Sequence, residues 1–203
     1  MIQPLQGSNL GEVINGSIAQ WTTEAWVWNN APEFGAVVCA DSDQRLIFGV
    51  VNSVQTGAGD DLVRQVFAYQ KSQAELRRDQ PQIFELLKTR FCALPVAYYA
   101  GDKYVYALPP QPPIIHSFVR FASIAELSTI FKDEQAFYAL FSQSSRVDNF
   151  EELLLALIRN LQIYGLVNKK MLLQLAEQLS LVLANDYRRL QIFMRRLETA
   201  SLI

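Results

Sequence analysis

The sequence predicts an α+β protein, with a small N-terminal β-barrel followed by an all-α C-terminal helical region. Three observations carry this. Before residue 122 the apolar residues come in short, strand-like runs punctuated by Gly, Pro and Asp. After residue 122 the spacing is helical, Gly165 is the only glycine and there is no proline. Just before the change lies Pro109-Pro-Gln-Pro-Pro113, which cannot join a β-ladder and reads as an extended connector. The expected division is residues 8–122 for the barrel and 123–203 for a tail of about four helices.

Each element has its own signal. Residues 11–18 alternate apolar with small or polar side chains. Residues 21–28 follow, and a period of two puts Trp26 and Trp28 on one face. After a turn at 32–35 come a buried run at 36–40, a polar turn at 41–44 and a β-branched run at 46–54 around Gly49. Residues 56–61 read as a loop with two glycines and two aspartates. Residues 62–88 are more polar, with Pro81 placed at the first turn of a short helix. Residues 89–99 return to strand character, Gly101-Asp102 is a turn, and 104–108 is the second arm of a hairpin. Residues 114–121 form a last strand. Short strands at turn-rich spacing suggest a small barrel.

In the second half, Ser123 with Glu126 has capping-box form, Asp148 with Glu151 repeats that spacing, and Asn168 can cap the last helix. Helices are expected near 123–131, 133–143, 149–164 and 168–199. In the last, Leu172, Ala176, Leu179, Leu183, Tyr187, Leu190, Met194 and Leu197 recur at steps of three and four. This stripe either packs on the preceding helix or, through Leu183, Tyr187, Leu190, Met194 and Leu197, forms a self-association seam.

Composition narrows the function classes. The chain has 203 residues, half of them hydrophobic, with 18 basic against 20 acidic residues and a net charge of -2. A dedicated nucleic-acid binder shows a basic excess, which is missing here. Residues 1–16 lack a basic stretch and an apolar core, and no apolar run approaches the roughly 20 residues of a membrane span. A cytoplasmic protein without membrane contact is therefore expected. Cys39 and Cys92 then read as reduced, buried structural residues.

Several chemistries have no motif. There is no P-loop, no dinucleotide-binding glycine pattern and no nucleophile elbow. The one histidine, His116, cannot build a multi-histidine zinc site, and the two cysteines are not at zinc spacing. A pairing of His116 with Cys39 or Cys92 lacks a supporting cation other than Arg90. The adjacent carboxylates Asp60/Asp61 and Glu151/Glu152 fit a loop tip and a helix N-terminus. No cofactor, metal or catalytic residue is expected.

Two positive signals remain. Trp21, Trp26, Trp28, Phe34 and Phe48, with Tyr98, Tyr99, Tyr104 and Tyr106, either fill the barrel or offer a stacking surface. Arg188, Arg189, Arg195 and Arg196 fall within roughly a 120° arc of one helix. That strip is either a solvated face or a contact for an acidic partner or nucleic acid.

The order of motifs is similar to a known family. Leu10-Gly-Glu-Val-Ile-Asn-Gly16 opens a strand, Ala-Val-Val-Cys follows Gly35, and Leu46-Ile-Phe-Gly-Val-Val-Asn-Ser-Val54 runs into a glycine- and aspartate-rich loop. Gly101-Asp-Lys-Tyr, Leu108-Pro-Pro-Gln-Pro-Pro and Phe118-Val-Arg close the series. This resembles the HAS barrel, shared by HerA-type translocases and the N-terminal domains of ATP synthase subunits. In the HerA-type relatives a RecA-like ATPase core follows the proline exit; here helices without a P-loop follow it. The resemblance implies a barrel and a part in ring assembly or partner docking, without ATP hydrolysis. The expected function is a non-catalytic interaction or assembly module. Its barrel would dock on a protein partner, with an ATPase-like protein as one candidate class, and its tail would bind a second surface or self-associate into a homo-oligomer. The alternative is an accessory nucleic-acid-binding protein using the arginine strip.

Overall fold

Strands β1 (Asn9–Gly16), β2 (Trp21–Ala25), β3 (Val37–Ser42), β4 (Arg45–Ala58), β5 (Leu87–Ala100) and β7 (Phe118–Phe121) close into an antiparallel barrel. The circuit runs β1–β2–β5–β4–β3–β7 and returns to β1, while β6 (Lys103–Val105) pairs with the end of β5. A computed structural model describes residues 8–58, 69–132, 134–183 and 186–199. Gly59, Asp60 and Asp61 of the expected loop, and residues 200–203 of the expected tail, lie outside the described residues.

Alternation gives the barrel wall two apolar surfaces. Leu10, Val13, Trp21, Val38, Ile47, Phe91 and Val119 fill the interior. Trp21 is the bulkiest of these and sits against Gly49, where a Cβ would lie 2.4 Å from its ring. Val37, Cys39, Phe48, Val50, Leu94 and Val96 face outward from β3, β4 and β5 and share a second core with the helices.

The helices are α1 (Gln73–Asp79) and α2 (Gln82–Glu85) between β4 and β5, then α3 (Ile124–Ile130), α4 (Gln135–Phe141), a 3-10 turn (Ser144–Arg146), α5 (Phe150–Ile163), α6 (Lys169–Val182) and α7 (Tyr187–Thr199). α5 buries Phe150, Leu153, Leu154, Ala156, Leu157, Ile158 and Leu161. It presses so closely on Gly35, at φ +81°, that a Cβ there would meet Ala156 at 2.5 Å. The helical half is therefore an outer layer on one side of the barrel, sharing its core.

Strand β5 explains Pro95. β2 pairs with it as far as Ala93 and β6 resumes at Tyr98, so residues 94–97 have no strand on that edge. Proline lacks an N–H and is tolerated there. Its carbonyl accepts from Gln143 Nε2 at 2.7 Å, so the chain between α4 and the 3-10 turn closes the gap.

Several expectations need correction. The long final helix is two helices, because Asp186 Oδ1 accepts from Arg189 N at 3.1 Å and starts α7 as a cap. The tail thus has five α-helices among the described residues rather than about four. Residues 114–117 form a turn rather than strand, with Ser117 N donating to Ile114 O at 3.0 Å and His116 at φ +68°. β2 ends at Ala25, so Trp26 and Trp28 part company: Trp26 meets Phe118, and Trp28 stacks on Phe84. Both Gly101 and Asp102 take positive φ, the geometry of a two-residue hairpin turn.

Candidate interaction surface

The helical layer covers the outside of β4 and β5 and, on β3, Val37 and Cys39, leaving Asp41 at the end of that strand exposed. The outer face of β2, β1 and β7 carries a different set of residues. In antiparallel pairing, residues directly opposite share a face. Glu24 lies opposite Glu12, Glu12 opposite Phe118, and Phe118 opposite Asp41. A row of three carboxylates and one phenyl ring therefore crosses four strands.

Trp26 and Phe118 stand over this row, 52 % and 48 % exposed, edge to face at 5.5 Å. The Trp26 indole Nε1 donates to Glu12 Oε1 at 3.1 Å. His116 Nδ1 donates to Glu12 Oε2 at 3.0 Å. The left-handed backbone of His116 is one a glycine would take more easily, and it aims the imidazole at Glu12. Ile14, Ile114 and Ile115 add exposed apolar surface, and His116 N donates to Val13 O at 2.8 Å, holding their turn beside β1. Glu24 is bridged by Arg90 at 3.1 Å and Lys88 at 3.4 Å.

The other expected aromatics mostly pack. Trp21 and Phe48 are buried, Phe34, Tyr99, Tyr104 and Tyr106 line the outer core, and Tyr98 packs against the interior. Trp26 is the exposed member of that set, and Phe118, absent from it, completes the patch.

The arginine strip is partly engaged. Arg189 bonds Glu151, and Arg196 forks onto Glu152, with Nη2 at 2.7 Å from Oε2. That bond holds the Glu152 carboxyl below its ordinary value. Arg188 and Arg195 are exposed on α7. In the proposed seam, Leu197 is fully buried and Leu183, Leu190 and Met194 pack against the core. Tyr187 alone of the five points outward, at 74 % exposure. Phe193, outside the expected stripe, is buried too.

Cys39 is fully buried beneath the helices, and burial pushes its thiol up to about 12. Cys92 is half-buried beside Thr22 Oγ1 at 3.4 Å, while His116 is bound to Glu12. A recess of about 230 Å³ between α4 and the segment after β6 is lined by Pro95, Tyr106, Leu108, Tyr138 and Gln143. Its phenols face neighbours: Tyr106 donates to Thr129 O, and Tyr138 accepts from Gln178 Nε2. No helix among the described residues is long and apolar enough to cross a membrane.

The sequence reading missed Glu12, Phe118 and Asp41. A usable signal is the alternation Phe118, Val119, Arg120, which places Phe118 outside whenever Val119 is inside. Comparison with known proteins matches no family model and no curated protein.

Proposed function

We propose that this chain is a non-catalytic interaction or assembly module whose barrel docks on a protein partner through the β2–β1–β7 face. The observation that carries the reading is the exposed Trp26–Phe118 pair on a side of the barrel that the described helices leave uncovered. Exposed aromatic pairs rimmed by polar groups are typical of interface centres. The helical layer braces the opposite side and fixes the barrel's shape. The HAS-barrel resemblance adds a candidate class of partner, another barrel or an ATPase-like assembly.

The test is comparative affinity capture from host extract, using wild type, W26S/F118S and R188A/R195A. The reading expects a discrete protein captured by wild type and by the arginine variant but lost from W26S/F118S. Identical captures from wild type and W26S/F118S contradict it.

A further inference from the structure

We infer that the docking face is built for a basic protein segment, one presenting arginine or lysine side chains from an otherwise apolar strand or helix face. The inference rests on the docking reading above and adds the chemistry of the occupant.

Charge complementarity carries the argument. Glu12 and Asp41 flank Phe118 on one face, and strand spacing puts them about 10 Å apart across its ring. Among the described residues neither has a lysine or arginine within ion-pair distance; Glu12 has His116, and Asp41 feels at longer range the charge of Arg120, which is itself forked onto Glu126. Glu24, in the same row, shows the contrast, because the chain supplies it with both Lys88 and Arg90. The two carboxylates left for a partner are the two beside the exposed aromatic rings.

Ring faces attract cations, and the aliphatic stems of arginine and lysine cover apolar surface. An arginine lying over Phe118 or Trp26 reaches Glu12 on one side or Asp41 on the other. The Glu12 carboxylate is already oriented by Trp26 and His116, so a guanidinium meets a fixed acceptor rather than a mobile one. Alternatives fit the row less well. Nucleic acid would set phosphate against carboxylate. A second copy docking by the same face would oppose like carboxylates around a two-fold axis.

The probes are synthetic hexapeptides alternating valine with arginine, glutamate or threonine, titrated into the full chain at low salt and followed by amide and indole NMR. The arginine peptide is expected to shift the Trp26 indole and the Glu12, Phe118 and Asp41 amides. E12Q/D41N should weaken its affinity roughly tenfold, with the rest of the spectrum unchanged. Equal shifts from the glutamate or threonine peptide, or shifts that follow protein concentration alone, would overturn the basic partner and leave the docking face standing. No shift of these signals by any peptide at millimolar concentration, and none with protein concentration, would overturn both.

Discussion

Arg120 and Glu126 meet fork to fork, at 2.7 and 2.8 Å, across the junction where β7 gives way to α3. Glu126 also receives the Ser123 backbone N–H at 2.7 Å and the Ser123 hydroxyl at 2.8 Å. One carboxylate thus caps the first helix of the outer layer and ties it to the barrel strand that carries Phe118.

The Glu126 junction makes stability pH-dependent. Burial alone would raise this carboxyl, but the bonds from Arg120 and Ser123 outweigh it and hold it below its ordinary 4.5. A depressed carboxyl contributes stability that is present above that ordinary value and is lost as pH falls through the lower folded one. E126Q should cost roughly 1–3 kcal/mol at pH 7 in urea unfolding, and the gap to wild type should narrow on acidification below about pH 4. A gap independent of pH would contradict this.

Gly49 is set by the Trp21 ring. G49A pushes a methyl to within 2.4 Å of it and should destabilise by roughly 1–3 kcal/mol. W21F removes part of the clash, so the double variant should lose less than the sum of the single losses. Strict additivity in thermal unfolding would contradict the contact.

Thr23 is fully buried inside the barrel and, among the described residues, its hydroxyl has no hydrogen-bond partner. Valine keeps the shape and removes the stranded polar group. T23V should therefore gain about 1 kcal/mol in urea unfolding; a loss of that size would mean the hydroxyl is satisfied.

Arg189 and Arg196 act here as intramolecular partners of Glu151 and Glu152. R189A/R196A should lose at most about 1 kcal/mol per pair, less at high salt. The nucleic-acid alternative requires that replacing Arg188, Arg189, Arg195 and Arg196 with alanine abolish a measurable low-salt DNA affinity. Our account expects no such affinity in the wild type, by fluorescence anisotropy.

How much of this is legible in the sequence depends on whether a feature is local. The alternation of Val37, Val38, Cys39 and Ala40 announces a strand, and Ser123 with Glu126 announces a helix start. The break after Leu183 is hidden, because Leu183, Leu190, Met194 and Leu197 keep helical spacing straight through it. The turn at His116 is hidden because Ile114 and Ile115 are as strand-like as any residue in β7. Alternation puts Phe118 on the outer face, but nothing in the sequence says that Glu24, Glu12 and Asp41 line up with it. The row exists because the register of four strands, drawn from residues more than 100 apart, brings these side chains into line.

The most direct test of the docking face is site-specific photo-cross-linking in the native host. A benzophenone amino acid replaces Phe118 in one strain and Ile192, exposed on α7, in another. The account predicts a discrete higher-mass protein adduct from position 118 on irradiation and none from position 192. An adduct from 192 with none from 118 would contradict it.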